Sequence, residues 1–408
     1  MKEKDKLLLL AGILHGKKTF TGPEVLHIDL TNWCNFDCIA CWCRSPLLGD
    51  KAMPEEERKL ILPLENVRAV FDDIAEMGGL KQVKLVGGGE PFMHPDILKV
   101  VEYIKNVDSR IEIDINTNFS LVNEKTVERM LELGVDSLTV SIWAGTPGAY
   151  TAVHPNQKAQ TFERIRQVML YMSRRKKELD SRRPRMVIHN VILNRNCADI
   201  DNMLRFALDA GADDIQFVPI DTVKNKTEQL LPSPVQIQAL IPRLLSMRER
   251  YNPENFTYTA ADGRVIVLSD FDTFIRRMKE IDTASGVYDG GVVEEVPCYA
   301  GWLFARIMTT GNVVPCCKGH RMHMGNIFKN RFKEIWFSDT YNEFRNNGLK
   351  LAKAHPYFSK IGNDASPKTG CYNCDNLWQN VPVHRKITGI KEKGPIADLS
   401  VSLLRGLF

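Results

Sequence analysis

Cys34, Cys38 and Cys41 fall in the run IDLTNWCNFDCIACWC, spaced C-x-x-x-C-x-x-C, directly after an apolar run. That spacing gathers three thiols at one point. Three protein ligands on a four-iron cluster leave one iron open to chemistry, whereas a cluster that only carries electrons is usually closed by four cysteines. Structural zinc also takes closely spaced cysteines, but it wants four closed ligands. His27, the only histidine nearby in sequence, lies within the apolar run itself. The triplet alone leaves both metals open. A second apolar run ends in LVGGGEPFMHPD. There Gly88, Gly89, Glu90 and Pro91 offer a backbone without side-chain bulk, then a carboxylate. Such a segment can approach a ligand closely and accept hydrogen bonds from an ammonium group.

The cysteine triplet and the GGEP-type segment, in this order and each after a strand, resemble the radical S-adenosylmethionine (SAM) superfamily. The resemblance implies that Cys34, Cys38 and Cys41 hold a [4Fe–4S] cluster and that Gly88, Gly89, Glu90 and Pro91 bind the methionyl amine of SAM. One departure is visible: the family usually has an aromatic residue before the third cysteine, and here it is Ala40. Trp42, on the other side of that cysteine, is a substitute cover for the adenine.

The elements that must position these groups alternate. Apolar runs rich in Val and Ile occur at Val25–Leu30, Val83–Val86, Ile111–Ile115, Leu138–Ile142, Val187–Leu193 and Ile215–Val218. Between them apolar residues recur at helical spacing, as in Val67, Val70, Phe71, Ile74 and Met77, or Ile200, Met203, Leu204, Ala207 and Leu208. Gly78, Gly134 and Gly211 read as helix stops. Six strand–helix units in series imply a parallel sheet with right-handed crossovers. Six is short of the eight of a closed barrel, and the resemblance implies an open, partial (β/α)6 TIM-like barrel of the α/β class. Functional groups in such a fold sit at the C-terminal ends of strands. Asn118 and Ser141 follow the third and fourth runs and are candidates for the ribose or the methionyl carboxylate. Asn190 and Asn194 on the fifth, and Arg164 on the helix before it, are further SAM-binding candidates. Turn and cap roles compete at each of these positions, because Asn and Ser are common in loops.

The second half changes character. A proline-bounded helix at Val235–Met247 is followed by mixed segments, and then cysteines return at Cys298, Cys316–Cys317 and Cys371-x-x-Cys374. Gly325, Asn326 and Ile327, then Ile335 and Trp336, then Phe344 and Arg345, are similar to the pattern of the SPASM/twitch extension, as is Gly311 before Cys316. No cysteine follows Cys374. The resemblance therefore implies the shorter form, a small α+β domain with one auxiliary [4Fe–4S] cluster on Cys298, Cys316, Cys371 and Cys374. A four-cysteine zinc site is the competing reading. Cys317 is either a spare ligand in place of Cys316, an inert thiol, or a hydrogen-atom donor to a substrate radical. Cys43 and Cys197 read as inert buried thiols. The expected organisation is an N-terminal extension (1–22), the barrel (23–222), a connecting segment (223–290), the SPASM/twitch domain (291–385) and a tail (386–408).

Composition sets bounds on this reading. The chain of 408 residues can bury a large core. Its net charge of +4 is too mild to argue for nucleic acid. No apolar stretch is long enough to cross a bilayer, and no cleavable signal pattern follows the N-terminal MKEKDKLLLLAGILHGKK. Cysteines clustered at C-x-x-C spacing read as metal ligands in a reducing compartment, so the cytoplasm is the expected location. Leu7 to Leu14 and the tail LSVSLLRGLF are read as packing on the protein body rather than lying on a membrane. The basic run from Ser173 to Arg185 is either a solvated helix end or a dock for an acidic flavodoxin- or ferredoxin-type electron donor.

The resemblance implies reductive cleavage of SAM to a 5′-deoxyadenosyl radical, which removes a hydrogen atom from the substrate. Oxidation of a small-molecule or carbohydrate-type substrate is expected, with epimerisation as the other outcome. A peptide- or protein-modifying maturase is the alternative. Only a short segment precedes the first strand, which is read as too little for a leader-peptide module. No D-x-H-x-x-G cobalamin motif occurs. A non-catalytic iron–sulfur or zinc protein is the rival of another class, and the GGEP-type segment argues against it.

Overall fold

The computed structural model describes residues 2–362 and 367–392. Six strands run parallel in chain order: β1 (Val25–Asp29), β2 (Gln82–Val86), β3 (Glu112–Thr117), β4 (Ser137–Ser141), β5 (Arg185–Ile192) and β6 (Asp214–Pro219). The crossovers contain the helices Leu64–Met77, Ile97–Val107, Glu124–Glu132, Ala159–Glu178 and Ile200–Asp209. Gly78, Gly134 and Gly211 have φ of 68°, 68° and 69°. That left-handed conformation ends a helix and favours glycine.

Alternate residues of each strand face opposite sides. Ile113, Ile115, Leu138, Val140 and Ile188 are fully buried in one core with the helices. Each such side chain contributes roughly 1.5–3 kcal/mol on burial. The opposite face, inside the curved sheet, is polar. Lys84 Nζ lies 2.8 Å from Asp114 Oδ2, and Thr139 donates to the same oxygen at 3.0 Å. His189, also on this face, is lowered to about 4 by burial and then by the charge of Lys84.

The sheet does not stop at six strands. The connecting segment forms the expected helix, as Pro234–Arg248, capped by Ser233. It also forms strands β7 (Tyr251–Asn252), β8 (Thr257–Thr259) and β9 (Val265–Ser269), and β9 pairs parallel with β6. At the other edge β10 (Phe304–Ile307) pairs parallel with β1, followed by antiparallel β11 (Asn312–Val314) and β12 (Gly325–Asn326). The cysteine-rich C-terminal region and the barrel thus share one twelve-stranded sheet. A bidentate ion pair crosses this seam. Arg306 donates through Nε and Nη2 to the two oxygens of Asp29 at 2.9 and 2.8 Å.

Leu9 and Ile13 of the N-terminal helix Glu3–His15 are buried with Trp302, Leu303 and Phe304. The tail motif LSVSLLRGLF lies outside the described residues. No helix among the described residues is long and apolar enough to cross a membrane. Much of the basic run is paired: Arg175 with Glu128, Lys176 with Asp213, Arg183 with Asp136 and Arg185 with Asp214. That pairing removes much of the free charge a docking patch would need.

Candidate active site

The cysteine loop leaves the C-terminal end of β1 and is fastened on three sides. Trp33 N donates to Thr31 Oγ1 at 3.0 Å. Asn35 donates to Ser120 Oγ at 2.8 Å, and its carbonyl accepts from Asn156 and Gln157 at 3.1 and 3.0 Å. Ile39 N donates to Val153 O at 3.1 Å. Phe36 is 1% exposed and sits beside the rings of Tyr150 and His154.

The three thiols feel one another. Cys38 is pushed well above the ordinary thiol range by burial and then by Cys41 and Cys34. Cys34 is pushed up to about 12, chiefly by burial. Cys41 is lowered to about 7, first by its hydrogen bond with Cys43, whose sulfur lies 3.7 Å away. His154 touches the loop directly: Nδ1 is 3.1 Å from Cys38 Sγ and Nε2 is 3.0 Å from Ile142 O. A carbonyl only accepts, so Nε2 carries a proton. Burial lowers this imidazole to about 4.

The GGEP segment lies against the loop. Glu90 N donates to Trp33 O at 2.6 Å. A Cβ on Gly89 would meet Trp33 O at 2.1 Å, and one on Gly88 would meet Met53 Cε at 2.6 Å. At Gly89, where the obstacle is backbone, only a bare backbone fits. The Glu90 carboxylate, 2% exposed, accepts from Thr117 Oγ1 (2.6 Å) and Phe92 N (3.1 Å) on one oxygen, and from Asn118 N (2.7 Å) on the other. Burial raises its carboxyl to about 7 against these three bonds. Pro91 opens the turn Pro91–Met93 that Glu90 caps.

The remaining candidates divide. Asn118 donates its amide to Asn35 Oδ1 at 2.9 Å and accepts from Ser120, so its side chain braces the cysteine loop. Arg164 donates to Ser120 O in the same network. Ser141 donates to Asn116 Oδ1 at 3.3 Å at the end of β4. Asn190 is fully buried on the helix-facing side of β5, in register with Ile188 and Ile192, and neither of its amide atoms has a hydrogen-bond partner among the described residues. Asn194 donates its amide to Gln229 O, its backbone bonds Leu230 and the helix residue Gln236, and its buried Oδ1 has no hydrogen-bond partner among the described residues. Their neighbours Val191 and Leu193 share an apolar cluster with Ile39 and Ala40 of the cysteine loop. Trp42 packs on His320 and under Arg306, toward the C-terminal half.

His154 and Trp143 escaped sequence reasoning. Trp143 follows β4 with φ 58°, an outlier for a bulky residue, and its buried indole nitrogen has no acceptor among the described residues. Its ring lies 5.4 Å from that of His154. Its place two residues past a strand end was the one available signal.

The second cysteine group surrounds a cavity of about 30 Å³ lined by Cys298, Cys316, Cys371 and Cys374 together with Lys318. Cys316 is pushed well above the ordinary thiol range by burial and then by Cys298, Cys371 and Cys374. Cys317 does not line this cavity. Its sulfur is 4.0 Å from His27 Nδ1, and its carbonyl accepts from Arg306 at 2.8 Å. Burial pushes its thiol up to about 12. Among the described residues no three Cys, His, Asp or Glu side chains stand at the spacing of ligands to a single metal ion. Four thiols around one cavity, and three beside a bare glycine backbone and a buried carboxylate, fit the two clusters and SAM in donor chemistry.

Comparison with known proteins defines the class. The radical SAM superfamily model matches residues 28–207, and that of the SPASM iron–sulfur cluster-binding domain matches residues 298–375. The chain thus carries a radical SAM domain at residues 28–207 and a SPASM domain at residues 298–375. A radical SAM domain binds a [4Fe–4S] cluster and SAM, and a SPASM domain binds auxiliary iron–sulfur clusters. Among relatives, the tungsten-containing aldehyde ferredoxin oxidoreductase cofactor-modifying protein of Pyrococcus furiosus is 23% identical over 330 residues, 79% of this chain and 83% of its own. The AdoMet-dependent heme synthase of Methanosarcina barkeri is 24% identical over 317 residues, 77% of this chain and 82% of its own. Among solved structures, Streptococcus suis SuiB bound to its precursor peptide SuiA shares the fold at a TM-score of 0.59 and 16% identity, covering 91% of this chain and 76% of SuiB. Native anSMEcpe with bound AdoMet has a TM-score of 0.54 at 15% identity, covering 81% of this chain and 85% of that protein.

Proposed function

We propose that this chain is a radical SAM oxidoreductase that removes a hydrogen atom from a small-molecule substrate and oxidises it. The observation that carries the proposal is the seating of the GGEP backbone on the cysteine loop, with Glu90 buried beside three thiols. When bound, the first cluster and SAM supply a 5′-deoxyadenosyl radical as the hydrogen-abstracting agent. Cys34, Cys38 and Cys41 are the ligands in this reading. An ionised carboxylate offers about four acceptor sites, and Glu90 uses three within the protein. The fourth accepts from the methionyl ammonium. Thr117, Asn118 and Phe92 fix the carboxylate's direction, so that little reorganisation remains at binding. The aromatic wall of buried Phe36 and Tyr150 and half-buried Trp143 keeps water from the loop.

Cys298, Cys316, Cys371 and Cys374 would hold one auxiliary cluster, which would supply an acceptor for the electron lost in the oxidation. Two features favour a small molecule. Two relatives matched over four fifths of their own length are named for a cofactor and for heme, and the inner face of the sheet is polar. A peptide is the second reading, favoured by the fold shared with SuiB and its peptide complex. Anaerobic reconstitution with iron and sulfide, then SAM and dithionite, tests the proposal. Formation of 5′-deoxyadenosine is the expected result, and its absence from a fully loaded protein would refute an enzymatic role. Product made in D2O separates oxidation from epimerisation. Solvent deuterium at the reacting carbon, lost in Cys317→Ala, would make that thiol a hydrogen donor and overturn oxidation.

A further inference from the structure

Lys318 is a charged side chain deep in a wall that the four-cysteine reading does not use. It lines the same cavity as Cys298, Cys316, Cys371 and Cys374 and is 8% exposed; Lys353 and Asp375 line that cavity as well. A buried ammonium requires an anion near it. Its ion-pair partner is Asp221, with Oδ2 at 2.8 Å. Asp221 follows the C-terminal end of β6. Its other oxygen accepts from Asn373 at 3.2 Å, and Asn373 stands between Cys371 and Cys374. The pair therefore ties the mouth of the barrel to the C-x-x-C loop, with its positive end on the cavity side.

We infer that Lys318 is a buried counter-charge of the auxiliary cluster, beside Lys353 in the same wall, and that the Lys318–Asp221 pair tunes that cluster's reduction potential. The inference rests on the four-cysteine reading above. Four thiolates make a cluster anionic, and reduction adds one more negative charge. Net charge and surroundings are what place such potentials. A cation in the wall of a buried cavity is weakly screened, so it stabilises the reduced form more than it would in water. Asp221 opposes it from the far side of the ammonium. The two side chains act with opposite sign, which a role in packing alone does not predict.

The test is a redox titration followed by electron paramagnetic resonance, with an iron count on each protein. The full chain is first freed of the other cluster by Cys34→Ala, Cys38→Ala and Cys41→Ala. Lys318→Met should keep the auxiliary iron and move its potential to a more negative value. Lys318→Arg should stay near the parent. Asp221→Asn removes one of the two carboxylates that face the ammonium, Asp375 being the other, and should move the potential to a more positive value. Unchanged potentials with iron retained would overturn the inference, as would shifts of the same sign in both variants. If Lys318→Met sheds its iron, Asp221→Asn decides: a positive shift supports the inference, and no shift or a negative one overturns it. A parent without iron would sink the four-cysteine reading, and this inference with it.

Discussion

Glu90 concentrates the account at the scale of single residues. Burial holds its carboxyl near 7, where an exposed glutamate would ionise far lower. Below that pH the folded protein keeps the proton, and the carboxyl is a poorer acceptor for an ammonium. SAM affinity should therefore rise from about pH 6 to about pH 8 and then level off, as read by equilibrium binding to the reconstituted protein. Stability of the SAM-free protein runs the other way. A carboxyl raised on folding stabilises most below its unfolded value, and that contribution is lost as pH rises through about 7. Glu90→Gln should abolish both pH steps and weaken SAM binding by about 1.5–3 kcal/mol, the range for a charge-assisted hydrogen bond. Iron content should remain near that of the wild type. The two adjacent cysteines give a second residue-level outcome. Cys316 faces the cavity and Cys317 faces His27. Cys316→Ala should lose the auxiliary iron, whereas Cys317→Ala should keep it; equal iron in both would contradict the cavity assignment.

The elements explain what the sequence made legible. The cysteine triplet and the GGEP segment carry their chemistry in contiguous residues, so the two motifs together, through the resemblance they carry, announced them. The six parallel strands followed from apolar runs between helical repeats. His154 was invisible because its partner Cys38 is 116 positions away. The Asn156–Gln157 clasp on Asn35 is equally remote. Asn190 misled for a related reason. An asparagine at the end of a strand looks like a ligand-binding group, but strand parity turns it to the helix side, with Ile188 and Ile192. The short strands β7 and β8 carry no apolar alternation, and nothing local announced that β10 would join β1. Gly89 tests the seating of one element on another. Gly89→Ala puts a Cβ at 2.1 Å from Trp33 O, so the cysteine loop or the GGEP segment must move. Its midpoint of unfolding should fall and SAM binding should be lost. A variant that binds SAM normally would show that the two segments need not touch.

Across the whole molecule, one sheet carries both cysteine groups, and the seam between β1 and β10 holds them in fixed relation. Arg306 and Asp29 cross that seam nearly buried, at 10% and 2% side-chain exposure. Breaking a buried pair by removing one partner costs roughly 3–5 kcal/mol, because the other charge is left uncompensated. Asp29→Asn should lower the denaturant midpoint accordingly; an unchanged midpoint would show that the pair does not hold the halves together. The central claim is that this sheet positions two separate clusters and that only the first cleaves SAM. The direct measurement is iron per chain and 5′-deoxyadenosine formed, on reconstituted wild type and on the triple variant Cys34→Ala, Cys38→Ala, Cys41→Ala. The account predicts about eight irons in the wild type, from two four-iron clusters. The triple variant should keep about half of that iron and form no 5′-deoxyadenosine. An undiminished iron count, or SAM cleavage that survives in the triple variant, would contradict it.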